Sequence, residues 1–263
     1  MLVRPSAVSG SFYPATAERL SFEVDALLSQ VLSPAAARSP KALIAPHAGY
    51  VYSGGVAAHA YAQLRPEAET LRRVMLFGPA HFVGLRGLAL PEAAAFETPL
   101  GQVQIDGDMA AYLERKHGVV RSAAAHAREH SLEVQLPFLQ RTLKNFRIVP
   151  LVVGDASASE VATVIDAVWG DQSTAIIVSS DLSHYLPYEE AVAQDRRTAE
   201  QILALGPERL SSHQACGANP INGLMLAASR HHLRPALLDL RNSGDTAGPR
   251  DQVVGYGAFA FCE

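Results

Sequence analysis

Cysteine is nearly absent from this chain: 263 residues hold two, Cys216 and Cys262. So sparse a pair describes no disulfide framework, and free thiols are expected. Clustered basic charge is missing too. With a net charge of −4, a pI near 6.2 and no run of lysine or arginine, the chain lacks the electrostatic footprint that nucleic acid or an anionic membrane requires. No apolar run approaches the roughly 20 residues that span a bilayer. The first residues, MLVRPSAVSGSFYP, lack the apolar core of a signal peptide. A cytoplasmic protein acting on small molecules or peptides is the expectation.

What the chain does have is enough apolar material, 48% of its residues, to bury a large core, and a single domain over residues 1–263 is expected. Short runs rich in Val, Ile and Leu alternate with longer segments of helical character, which is the βαβ pattern of an α/β fold with a mostly parallel or mixed central sheet flanked by helices. Strands are predicted at Ala42–Ala45, Val74–Phe77, Leu88–Leu90, Ile148–Val153, Ala175–Val178, Leu237–Leu240 and Val253–Phe261. Helices are predicted at Ala17–Leu32, Gly54–Leu64, Gly107–Lys116, Leu132–Leu143, Ser157–Val168, Tyr188–Leu205 and Ile221–Ser229. The stretch SPAAARSP, Ser33–Pro40, reads as a connection inside the domain.

Three predicted strands run into chemistry in the same way: ALIAPHAGY, VMLFGPAH and IIVSSDLSHY. Each delivers a histidine just past a strand, and in an open α/β sheet ligands sit outside the carboxyl ends of strands, where such loops converge. His47, His81, Asp181 and His184 are therefore expected to share one pocket. Gly49 and Gly78 would allow close backbone approach, while Pro46 and Pro79 would end the ladders and fix the turns. The chain has ten histidines. Of these, His59, His117, His126, His213, His231 and His232 read as surface or satisfied core residues.

In ACGANPING, Cys216 lies just before a predicted helix, whose dipole would stabilise a thiolate. The plainer reading is a small buried hydrophobe. Beside the strand-end histidines, two imidazoles and this thiolate make a three-ligand site with open positions. In REHSLEVQLPFLQ, His130 could supply a supporting hydrogen bond to the site, or Glu129 and His130 could serve as helix-terminus and surface groups. Phe12, Tyr13, Tyr50 and Tyr52 read mainly as packing residues, with one tyrosine placed to line the cleft.

These residues also carry a resemblance. GSFYP at Gly10–Pro14, APHAGYVYSG at Ala45–Gly54, GPAH at Gly78–His81, EHSLEVQLPFL at Glu129–Leu139, SSDLSHY at Ser179–Tyr185 and CGANPI at Cys216–Ile221 stand in the order of the Memo family. That family includes the proteins called AmmeMemoRadiSam system protein B. The resemblance implies a fold like that of the LigB-type class III extradiol dioxygenases, with metal ligands at His47, His81 and Cys216 and with Asp181 and His184 beside them. It also implies peptide binding, with Phe12 and Tyr52 at aromatic wall positions. No role falls to Phe82, where some relatives have a second histidine. The dioxygenase relatives use a carboxylate where Cys216 stands here, and soft donors favour copper, iron or zinc. Three functions follow. One is an iron(II)- or copper-dependent oxidoreductase with His184 moving the proton and Asp181 orienting it. The second is a non-catalytic metal- or peptide-binding module. The third is a metal-free hydrolase with Cys216 as nucleophile and His184 as base.

Overall fold

The computed structural model describes residues 2–32, 40–206 and 208–263; the linker-like positions 33–39 lie outside them. In chain order the described strands are β1 (Val3–Arg4), β2 (Ala42–Ala45), β3 (Arg73–Pro79), β4 (Leu88–Leu90), β5 (Ala95–Thr98), β6 (Gly101–Gln104), β7 (Val120–Arg121), β8 (Arg147–Val153), β9 (Thr174–Ser179), β10 (His184–Leu186), β11 (Arg234–Asn242) and β12 (Val253–Cys262). The helices are α1 (Ala17–Ser29), α2 (Tyr50–Ala62), α3 (Gly107–His117), α4 (Ala123–Ala127), α5 (Leu136–Thr142), α6 (Ala158–Asp166), α7 (Tyr188–Ala204) and α8 (Ala218–Arg230).

The main sheet runs β10-β12-β2-β9-β3-β8-β4-β7, with β11 also on β12. Its centre, β2-β9-β3-β8, is parallel throughout, and antiparallel pairs flank it on both sides, so the sheet is mixed with a parallel heart. Sequence explains that division. ALIA of β2 and TAIIVS of β9 are buried at every position, as strands covered on both faces must be. In contrast, β11 is exposed or half-buried at every position except its last, Asn242. Helices α1, α2 and α5 pack together, with α2 against β2, β11 and β12, while α6 and α8 form a second pair, with α8 against β3 and β9. The seven predicted strands are all present. Five short ones (β1, β5, β6, β7 and β10) and helix α4 were not foreseen, because two to five residues carry too little periodicity to read.

Register is what builds the site. Ala45 pairs with Ser179, and Phe77 with Val178, so β2, β9 and β3 end on one level. His47 and Asp181 then lie two residues past that row, and His81 lies two past the end of β3. Pro79 closes β3, as expected. Gly78 is required there, since a Cβ would sit 2.5 Å from the Ser131 hydroxyl. Gly49 is not pressed in that way: its nearest neighbour would be 3.6 Å off, an ordinary contact.

Candidate metal centre and pocket

His47 is buried and its ring is fixed through Nδ1. Nδ1 lies 2.7 Å from Ser179 Oγ. That hydroxyl spends its own proton on the Ser131 carbonyl (2.6 Å) and accepts from Gln135 Nε2 (2.8 Å). His47 must therefore donate from Nδ1, which leaves the Nε2 lone pair free, 3.4 Å from Cys216 Sγ. His81 reaches the same state by another route. Its Nδ1 lies 2.9 Å from Glu129 Oε1, and its backbone N–H donates to Oε2 at 2.8 Å. Burial works to raise the Glu129 carboxyl, but the His81 ring and the N–H groups of His81 and Ser131 outweigh it and hold the group down at about 2. An ionised carboxylate behind an imidazole is the usual means of orienting a metal-binding histidine.

Donor atoms of His47, His81 and Cys216 all lie within 4.8 Å of one another. Bonds of about 2.0–2.3 Å to nitrogen and sulfur place neighbouring ligands about 3–4 Å apart, and the 3.4 Å between Nε2 and Sγ suits one shared ion. Two Nε2 lone pairs and a thiol, each with its other contacts satisfied, fit a metal. His81, Glu129 and His130 form a second such group, but Glu129 is already committed to the ring and N–H of His81.

Without a metal the thiol is held neutral. Burial, then the neighbouring Asp181 carboxyl, pushes Cys216 up to about 12, outweighing the Gly217 N–H at the start of α8, which favours the thiolate. Its position is enforced: Asp181 N–H points at Sγ from 3.3 Å, the Cys216 N–H donates to the Asp181 carbonyl, and a Cβ on Gly217 would stand 2.7 Å from that of Ser180. Burial, followed by the charges of His81, His130 and His184, drives His47 well below its ordinary value.

Asp181 does not orient His184. Its Oδ1 accepts the backbone N–H of His47 at 2.7 Å and so clamps the β2 loop. Burial raises its carboxyl to about 6 against that hydrogen bond and the His184 charge. His184 is oriented by the Leu182 carbonyl, 2.8 Å from Nδ1, which leaves its Nε2 lone pair available. His130 does not hydrogen-bond either ligand ring. It stacks on His81 (centroids 4.7 Å, 17°) and meets Phe12 edge-on at 4.9 Å. Burial, against the pull of Glu129, lowers His130 to about 4. Phe12, Tyr52, His130 and the four strand-end residues line a cavity of about 620 Å³ that extends to Gln252 and Tyr256. Tyr50 is buried, with its hydroxyl on the Val134 carbonyl, so Tyr52 is the tyrosine that faces the cleft. Phe82 lies edge-on to His130 at 5.9 Å.

Comparison with known proteins agrees on the lineage. Residues 4–260 match the Memo-like protein family. The chain belongs to the Memo family. MEMO1 family proteins of Pyrobaculum arsenaticum (36% identical, covering 99% of each chain) and Aquifex aeolicus (35%, covering 99% of this chain and all of the other) are similar over their full lengths. So is one from Methanopyrus kandleri, 36% identical over 98% of both. An uncharacterized Escherichia coli K12 protein of known crystal structure has a similar fold, with TM-score 0.55, 14% identity and coverage of 83% of this chain and 99% of its own.

Within this Memo chain the motif reading missed the groups that hold the ligands. Glu129 is 2% exposed and grips His81, where the sequence suggested a helix-terminus role. Ser179, which accepts the Nδ1 proton of His47, carries one local signal, a serine closing an otherwise apolar strand. Among the described residues no helix is long and apolar enough to cross a membrane.

Proposed function

We propose that this Memo-family chain binds one metal ion, iron(II) or copper, through His47 Nε2, His81 Nε2 and Cys216 Sγ, and works as an oxidoreductase of dioxygenase ancestry on a small molecule or peptide. The observation that carries the reading is the meeting of two imidazole lone pairs and a thiol beside a cavity wide enough for such a ligand. Zinc suits the same donors. When bound, the ion would supply redox or Lewis-acid activation of a substrate oxygen.

The protein's own groups do the rest. Cys216 gives up its proton when a cation offsets the burial that opposes thiolate formation. Glu129 and Ser179 keep both imidazoles from turning. Phe12 and Tyr52 offer flat apolar surface to the substrate, and His184 Nε2, at the rim of the same cavity, accepts or returns a proton. Two cysteines in 263 residues are too few for a disulfide framework, which suits a cytoplasmic setting.

Two observations stand against the metal-free hydrolase. The thiol is pushed up to about 12, and the ring 3.4 Å from it belongs to His47, whose basicity burial has suppressed. The binding module uses the same wall and donors, so turnover alone separates it from the enzyme. Elemental analysis of untagged protein should find about one equivalent of iron or copper per chain. Anaerobic reconstitution followed by an oxygen-uptake screen should then reveal consumption that depends on an added small molecule or peptide. Metal binding without uptake across the screen would leave the binding module standing, and absence of metal binding would remove the oxidoreductase and the metal-binding form of the module.

A further inference from the structure

A second cavity, about 830 Å³, adjoins the same centre. It shares His81, His184 and Tyr185 with the aromatic cavity and also reaches Cys216. Its outer wall is a face of α7: Glu190, Ala193, Gln194 and Arg197 stand at helical spacings of three, four and seven, which place them in one row. Ser212 and His213 close the far side. The shared Tyr185 is 69% exposed, with φ at +57°. A bulky residue in the left-handed region is strained and persists where surroundings impose it, often at ligand clamps.

Arg197 is the notable group in this row. It makes no ion pair or side-chain hydrogen bond among the described residues. Glu190, seven residues earlier, lies about 10 Å away along the axis by helical rise, too far to neutralise it. Arg197 is exposed, and a guanidinium with no protein partner on the wall of a cavity that reaches the candidate ligands has its donors open to an anion.

We propose that Arg197 binds the carboxylate of an elongated organic acid whose other end lies at the His81–Cys216 edge. Charge selects the carboxylate. One fixed positive charge matches one negative charge, and Glu190 on the same wall opposes a dianion such as phosphate. Neutral donors on Gln194 and Ser212 are placed to complete the carboxylate's hydrogen bonds. Tyr185 lines both lobes and Phe12 only the aromatic one, so a ligand anchored at Arg197 reaches the centre without crossing Phe12. The assignment of that ligand as a substrate rests on the function proposed above; the binding itself does not.

The test uses the full chain labelled with ¹⁵N and titrated with butyrate, following arginine Nε–Hε and glutamine side-chain resonances, with metal content measured on the same samples. Butyrate should shift one arginine resonance that is missing from Arg197→Ala. That variant should bind butyrate at least about tenfold more weakly, Glu190→Gln should bind it more tightly, and the neighbouring Arg196→Ala should match the parent. Phosphate should bind more weakly than butyrate. An unchanged affinity in Arg197→Ala, no arginine shift, or phosphate binding more tightly than butyrate overturns the proposal. Loss of metal binding with butyrate binding intact would sink the metal reading alone. Normal metal content without butyrate binding would sink the subsite alone.

Discussion

Cys216 and His184 line the same cavity, yet they fail differently when replaced. Cys216 is the group that makes the donor set soft, so Cys216→Ser should weaken iron or copper binding by well over tenfold; equal affinity would show that sulfur is not a ligand. Glu129→Gln keeps the shape but removes the charge behind His81, and a loss of about 10–100-fold in metal affinity is expected, the usual range for a supporting partner. His184 carries its free lone pair at the rim and its Nδ1 proton on the Leu182 carbonyl. His184→Ala should leave metal content almost unchanged while lowering turnover by roughly 10²–10⁴-fold. Metal lost together with activity would mark His184 as a ligand. At this scale the sequence was readable where a residue type and a strand end coincide, as at His47 and His81. It was silent on which carbonyl or carboxylate holds a ring. Asp181, three residues before His184, looked like its orienter and turned out to clamp His47.

Elements act here mainly by delivering loops to one level, and that was legible because parallel central strands read as unbroken apolar runs. The N-terminal segment is the instructive failure. Residues 5–16 carry Phe12 into the cavity, yet the sequence shows no long strand or helix to fix them. A buried carboxylate does so instead. Glu133, fully buried, pairs with Arg4 and accepts from the N–H of Ala7 (2.7 Å), the N–H of Val8 (3.0 Å) and the Tyr13 hydroxyl (2.5 Å). This network joins residues more than a hundred positions apart, so no local pattern announces it. Breaking it leaves Arg4 buried without its charge partner, and Glu133→Ala should cost about 3–5 kcal/mol of stability. A conservative Glu133→Gln should keep part of the hydrogen bonding and cost less. Urea unfolding of the three proteins measures this, and equal midpoints would show that the segment is held by packing alone.

For the whole molecule, titration links folding to pH, and the signs can be worked group by group for the metal-free chain. His126 lies outside the pocket, 2% exposed, with Nε2 on the Ala89 carbonyl at 2.9 Å. Burial lowers it to about 4 against that hydrogen bond, whereas in the unfolded chain it returns to about 6.5. Above that value both states are neutral and the group contributes nothing. As pH falls from about 6.5 to 4 the unfolded state takes the proton first, so stability drops by up to about 3 kcal/mol. His130, lowered to about 4, acts in the same direction. Asp181, raised to about 6, opposes them, because the folded chain binds that proton before the unfolded one does. His47, which burial drives well below its ordinary value, makes three histidines on the destabilising side. Asp195 and Glu23, whose carboxyls burial raises, join Asp181 on the other but take up protons nearer the carboxylate range. The balance is a net loss on acidification, joined below about 4.5 by Glu129, whose ionised form the fold favours. Unfolding free energy measured at intervals from pH 7 to 4.5 should therefore fall with pH. In His126→Gln the fall should be shallower by up to about 1.4 kcal/mol per pH unit, the slope of one proton, whatever that variant's absolute stability. A slope that the substitution does not change would mean that His126 takes up its proton in the folded core as readily as in the open chain.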